Sequence, residues 1–462
     1  MELCDTCNLY TFDRFLIEGS IGHGVVQDLI ASSEYCVLCR LILETVRRRI
    51  TETTHSAEET DEHIEYLRKS QVSLTYPARQ NTIIHSDRIQ IDVREPTLMI
   101  DGWLVLSDSD TSLRIFREPG KHLLQRLGTG FNRMILGISQ IMDTSIPAGQ
   151  RIEPTAASPD LHEHISMWLD ECNETHEKCH EGSRTDGEDS RRIPARLLSI
   201  GAPDDNREPH LLETDGSCGP YIALSHSWGQ TRHITTTTEN LERHKVSIPY
   251  EDLPRTFQDA VVLARNLGIS YIWIDSLCII QDDIQDWKNE AAKMADVYRN
   301  AYCTVAATGS SGDQEGIFLE RKEQDVFRMR YEAEDIDLVV TYVDDDISTL
   351  KELLFDSPLS SRAWTLQEKL LSRRMVQFTR SRAIWECRTR FETEDLLVLG
   401  PDDFGGILTS SIFAFSTNRS KWLECLEAVG RAREFSEVSI LLDQIHFFSD
   451  KSLVLAKPIS KH

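Results

Sequence analysis

The chain has 462 residues, 40% of them hydrophobic and 27% charged, which excludes a collagenous, coiled-coil or wholly disordered chain and leaves room for about three domains. Its 50 Lys and Arg against 75 Asp and Glu give a formal charge of −25. That charge repels phosphate backbones and anionic lipid, so general nucleic-acid or membrane-surface binding is not expected. The opening MELCDTCNLY lacks a basic segment ahead of an apolar one, so a secretory signal is not expected either. Apolar runs such as Tyr271–Ile280 fall well short of the roughly 20 residues of a membrane span. The expectation is a cytoplasmic protein whose 11 cysteines are thiols or metal ligands rather than a disulfide framework.

Along the chain, residues 1–50 carry Cys4-x-x-Cys7, Cys36-x-x-Cys39 and a helix-like run ending in Arg47-Arg48-Arg49. Two thiolates of a C-x-x-C reach one ion without strain, and two such pairs suit a tetrahedral zinc site formed by Cys4, Cys7, Cys36 and Cys39. The same spacing also suits small hydrophobes facing a core. Between residues 72 and 117 the segments VSLTY, RIQIDV, LMIDGWLVL and SLRIF alternate as strands do. Residues 1–150 are therefore expected to form a Cys-pair and β-rich region. Residues 151–195 hold Cys172-x3-His176-x2-Cys179-His180, which offers up to four ligands but equally describes the solvated end of a helix. They close in the polar connector Glu181–Arg192.

From 196 to 390 the texture is α/β. A short strand, Tyr221–Leu224, runs into Ser225-His226-Ser227-Trp228-Gly229. A helix follows from Thr256 to Gly268, with Thr256 and Asp259 as a capping box and Phe257, Ala260, Val261, Ala264 and Leu267 on one face. Tyr271–Ile280 reads as a strand buried on both faces. A second helix, Asp283–Asn300, places Ile284, Trp287, Ala291, Met294 and Tyr298 together, and Cys303–Thr308 is the next strand. This succession predicts a mostly parallel sheet flanked by helices. Further strands are expected at Leu338–Val343, Met375–Thr379 and Ala383–Cys387. Residues 391–462 form a short tail without a placed element.

Several of these residues could carry chemistry. His226 and Cys278 near strand ends form a candidate Cys–His dyad, although a thiol within LCII equally suits an inert core. Asp275, in an apolar run, needs a partner such as Arg362 or faces a ligand. Glu368 lies one helical turn from Trp364, so that a carboxylate and an aromatic wall share a surface; an ion pair with Arg373 or Arg374 is the alternative. The chain has no G-x-x-x-x-G-K-[ST], no G-x-G-x-x-G after a strand, and no G-x-S-x-G.

Three blocks, YIALSHSWG (221–229), LPRTFQDAVVLARNLGISYIWIDSLCIIQDDIQDWKNEAAKMADVYRNAYCTVAAT (253–308) and PLSSRAWTLQEKLLSRRMVQFT (358–379), resemble the fungal heterokaryon-incompatibility (HET) domain over roughly residues 221–380. The Cys pairs and the Cys172–His180 segment resemble the N-terminal region of such proteins. The resemblance implies an effector of vegetative incompatibility that triggers growth arrest and programmed cell death. It would act through self-association and an incompatibility partner that the sequence does not identify.

HET domains are likened to TIR domains, which implies a TIR-like, flavodoxin-like sheet and NAD as a substrate. Trp364 and Glu368 have the W-x3-E spacing of NAD-cleaving TIR enzymes. The role carried over to Glu368 is to hold the ribose and steady an oxocarbenium-like charge. His226, Asp275 and Cys278 would lie about the same crevice, with Ser225, Trp228, Trp364 and Arg362 contacting the substrate. Two features depart from the family: His226-Ser227 replaces the frequent Tyr-Cys pair, and the chain after about Arg390 is short. The rival expectations are a stand-alone enzyme of secondary metabolism using the His226/Cys278 crevice, and a non-catalytic adaptor.

Overall fold

The alternating segments VSLTY, RIQIDV and SLRIF pair edge to edge, as period-2 patterning requires of strands with one buried face. A computed structural model describes residues 3–54, 56–75, 88–94, 112–117, 149–179, 194–201, 207–214, 219–229, 234–342, 353–354, 357–361, 365–396 and 398–399. The strand expected at LMIDGWLVL, the residues His180, Arg362 and Trp364, and the tail from residue 400 lie outside these. The chain divides into two units, one of residues 1–154, 321–346 and 394–397, the other of residues 155–320, 347–393 and 398–462.

The first unit is a six-stranded antiparallel sheet in the order Ser20–Val25, Gln71–Thr75, Arg88–Arg94, Ser112–Phe116, Ile336–Tyr342, Phe327–Tyr331. Val72, Leu74, Ile115, Met329, Leu338 and Val340 turn one face inward. That face shares a core with the helix Val37–Thr54 through Leu38, Leu41, Ile42 and Val46. The strand expected at Leu338–Val343 is therefore present, but it pairs with Ser112–Phe116 and takes no part in the α/β sheet.

The second unit holds a nine-stranded sheet. Four central strands run parallel, in the spatial order Arg374–Phe378, Cys303–Ala306, Tyr221–Ser225, Tyr271–Trp273. Antiparallel strands extend it on both sides, Ala383–Cys387, Phe391–Thr393 and Val398–Leu399 beyond the first, Arg196–Ser199 and His210–Glu213 beyond the last. The sheet is thus mixed rather than mostly parallel. All five residues of Tyr221–Ser225 are buried, as a central strand covered on both faces demands. Ile222 and Leu224 join one core with Phe257, Val261 and Trp168, while Tyr221 and Ala223 join another with Trp273, Tyr298 and Leu371.

Three local expectations are corrected. The first helix spans Arg255–Asn266 and ends, as expected, with Gly268 at φ 69, its N–H reaching the Arg265 carbonyl. Its capping box does not form. The Thr256 N–H meets the Asp313 carbonyl, and Asp259 instead accepts the amides of Ile317 (2.9 Å) and Phe318 (3.1 Å). The strand expected over Tyr271–Ile280 stops at Trp273, and Asp275–Cys278 forms a single helical turn. Length separates a buried strand from a buried helix better than periodicity does, and this run is too short to decide. The helix expected over Asp283–Asn300 is two, Ile284–Ala291 capped by the Asp283 carboxylate, and Met294–Asn300. The break between them leaves Ile284 72% and Trp287 36% exposed while Met294 and Tyr298 are buried, so the single apolar face is lost. Among the described residues no helix is long and apolar enough to cross a membrane.

Candidate active-site crevice and metal-ligand clusters

Counted along the chain, the parallel strands lie in the order 2-1-3-4. The chain leaves the first strand toward one side and returns to build the third on the other. Open α/β sheets leave a crevice at such a point, beyond the carboxyl ends of the strands. Here those ends are Ser225 and Ala306. A small cleft, about 20 Å³ in volume, is lined there by Ser225, Ala306, Thr308, Thr365, Lys369 and Gln377 among others.

Glu368 sits on the helix Thr365–Leu371, between the lining residues Thr365 and Lys369 in sequence, and is only 2% exposed. Its Oε2 accepts a short hydrogen bond from the Ser225 hydroxyl. Ser372 Oγ donates to the Glu368 carbonyl (2.7 Å) and meets Thr304 Oγ1 (2.6 Å), tying the end of that helix to the strand Cys303–Ala306. Lys369 Nζ lies 3.4 Å from Glu386 Oε2, which also accepts from Gln377 Nε2 at 2.8 Å. The lysine charge beside the cleft thus has its own counter-ion. Lys369, Gln377 and Glu386 were not singled out from sequence, although a glutamine inside the apolar strand RMVQF was a visible signal.

Strand parity parts Ser225 from its neighbour. Ser225 shares the face of Tyr221 and Ala223, whereas the His226 ring stands edge-on against Phe257, centroids 4.9 Å apart, beside the other core. The Asp275 carboxylate accepts the Trp228 indole N–H at 3.0 and 3.1 Å and the Ser276 amide at 2.7 Å, and lies 3.9 Å from His226 Nε2. His226, Trp228 and Asp275 therefore form one cluster next to Ser225. Cys278 is completely buried among Leu197, Tyr221 and Trp273. Burial pushes its thiol up to about 12, and its sulfur accepts the Ile274 N–H. In this setting it is a core thiol, protonated at neutral pH.

In the first unit, the sulfurs of Cys4, Cys7, Cys36 and Cys39 lie within 4.8 Å of one another, a donor set that fits a tetrahedral metal. Cys4 and Cys7 Sγ each stand 3.6 Å from Cys39 Sγ, and the Cys7 amide donates to Cys4 Sγ. The thiol of Cys7 and then His23 Nε2, 3.4 Å away, hold the Cys39 thiol well below its usual range. His23 is oriented by Tyr10 Oη at 2.8 Å from its Nδ1, a partner not anticipated from sequence. In the second unit, Cys172, His176 and Cys179 also converge, and among the described residues Cys387 joins them as a fourth member; His180 lies outside those residues.

Residues 221–368 match the family model described as Heterokaryon incompatibility protein (HET). No curated protein and no solved structure matches the chain.

Proposed function

We propose that the HET domain carried at residues 221–368 makes this chain a cytoplasmic effector of vegetative incompatibility, which kills or arrests a fused cell by cleaving NAD in the crevice at Glu368. The observation that carries the reading is the pairing of Glu368 with Ser225 at the mouth of the central parallel strands. The 2-1-3-4 strand order is also that of flavodoxin-like sheets, which supports a TIR-like kinship.

In the proposed reaction the bond between the ribose anomeric carbon and the nicotinamide nitrogen breaks. Its electron pair leaves with nicotinamide and quenches the positive charge of that ring. The ribosyl carbon passes through an oxocarbenium ion; water adds to it and releases a proton, giving ADP-ribose. Glu368 supplies negative charge opposite the developing cation, where fixed charge in a desolvated site counts most. Ser225 orients that carboxylate. Trp228, fixed by Asp275, and His226 complete the neighbouring wall in this reading. Self-association through the HET domain would assemble the active form, and zinc held by Cys4, Cys7, Cys36 and Cys39 would be structural.

The test is cellular NAD after induced expression in a fungus, wild type beside Glu368→Gln, with nicotinamide release by the purified chain measured in parallel. A fall in NAD confined to wild type supports the reading. Death with steady NAD would remove the chemistry and leave the HET assignment standing.

A further inference from the structure

We propose that Cys172, His176, Cys179 and Cys387 bind one thiophilic divalent metal ion of the zinc class, which staples the helix Pro159–Thr175 to the hairpin following strand Ala383–Cys387. This inference is independent of any activity at Glu368. Cys172 lies in the last turn of the helix, His176 is its C-cap, and Cys179 ends the 3-10 turn that follows. Cys387 closes the strand Ala383–Cys387. One ligand atom from each falls within 4.8 Å of all the others, with His176 Nδ1 at 3.4 Å from Cys387 Sγ.

A buried thiol used only for packing behaves differently in the same unit. Cys303 is fully buried among apolar side chains, with its sulfur turned to the carbonyl of the next residue at 3.5 Å. The other three sulfurs instead face one another and an imidazole, an arrangement that apolar side chains of the same volume would fill without the cost of a buried polar ring. Their surroundings also suit thiolate rather than thiol. The amides of Arg390 (3.3 Å) and Thr389 (3.5 Å) point at Cys387 Sγ, and Arg374 Nε donates to Cys172 Sγ at 3.2 Å. Three thiolates and a neutral imidazole around a dication leave a net single negative charge, which the Arg374 guanidinium offsets.

Two features make the site structural. All four residues are at most 4% exposed, so four protein ligands close the coordination sphere with no position open to substrate. Cys387 also pairs with Arg374, whereas Ala306, at the crevice end, pairs with Gln377. Three residues of strand put the metal about 10 Å from the level of the cleft, toward the amino ends of the parallel strands.

Metal content of the purified full-length chain tests this. Wild type is expected to hold two ions per chain, one for each Cys-rich group. Cys387→Ser and His176→Ala should each remove one, and Cys39→Ser should remove the other. Full metal content in Cys387→Ser, or complete loss in Cys39→Ser with that variant still folded, overturns the proposal. A disulfide between any two of Cys172, Cys179 and Cys387 does so as well. Wild type provides a second readout that does not depend on any variant folding. Once a chelator has verifiably stripped the metal, Cys172, Cys179 and Cys387 should become alkylated together while Cys303 stays protected. Unchanged labelling of those three after stripping counts against the site.

Discussion

Ser225 and Glu368 stand 143 residues apart in the chain, and the hydroxyl of one donates to the buried carboxylate of the other where the central strand ends. The pair joins the first parallel strand to the helix that precedes the last one. It therefore fixes both the direction of a charge and the closure of the sheet.

Glu368→Gln keeps an acceptor for Ser225 but removes the charge. It should abolish nicotinamide release while leaving the unfolding midpoint close to that of wild type. Ser225→Ala leaves the carboxylate one donor short, at a cost of about 1–3 kcal/mol, and should lower turnover in part. Denaturant unfolding beside a nicotinamide assay separates the two effects. Equal turnover in both variants and wild type would remove Glu368 from the chemistry.

Cys278 should be silent. Iodoacetamide is expected to leave it unlabelled in the folded chain, because it is fully buried and its thiol is raised to about 12. Cys278→Ala should preserve killing and NAD loss at a stability cost of about 1 kcal/mol. Loss of either phenotype in a folded Cys278→Ala protein would revive the Cys–His dyad and the biosynthetic-enzyme reading.

Asp259 gives a signed pH effect. Burial raises its carboxyl above the usual 3.8, against the lowering pull of the Phe318 and Ile317 amides and Arg255. Between 3.8 and that raised value the folded state binds more protons than the unfolded, so this group contributes stability at low pH and loses it as pH rises. Asp259→Asn abolishes the titration. The stability of wild type relative to Asp259→Asn should therefore grow as pH is lowered through that window, as measured by denaturant unfolding at several pH values. A difference independent of pH would refute the assignment.

The first metal cluster separates ligand from supporting residue. Cys36→Ser should lose its ion and destabilise the first unit, since a structural metal contributes folding energy directly. His23→Ala should retain the ion with weaker affinity, about 10-fold as for other supporting partners. Metal loss in His23→Ala equal to that in Cys36→Ser would make the histidine a ligand.

Local signals were legible where neighbours in sequence decide the structure. Gly268 ends its helix as expected, and the alternation of VSLTY and SLRIF marks real strands. Where distant residues decide, sequence reading misled. Asp259 looked like a capping partner for Thr256 because both sit at a helix start, yet the loop at Ile317 and Phe318 claims its carboxylate. Asp275 lies within an apolar run that suggested one long strand, but a helical turn begins there and its side chain meets Trp228. Cys172 and His176 stand far from Cys387 in sequence, so a spacing argument stopped at His180. The Glu368 spacing within its block was readable; its partnership with Ser225 needed the fold.

The strands Phe327–Tyr331 and Ile336–Tyr342, which complete the sheet of the first unit, lie inside the span of the family match and far along the chain from Ser112–Phe116. During synthesis, then, the first unit stays unfinished until the ribosome has passed most of the second. Until that moment the Ser112–Phe116 edge waits with unpaired amides and carbonyls, an invitation to the wrong neighbour. The same threading governs excision. A fragment cut to residues 221–368 would carry a hairpin with no sheet to join and would lack the parallel strand Arg374–Phe378. The stretch that the family match covers and the stretches that complete the two sheets are, in this chain, different lengths of polypeptide.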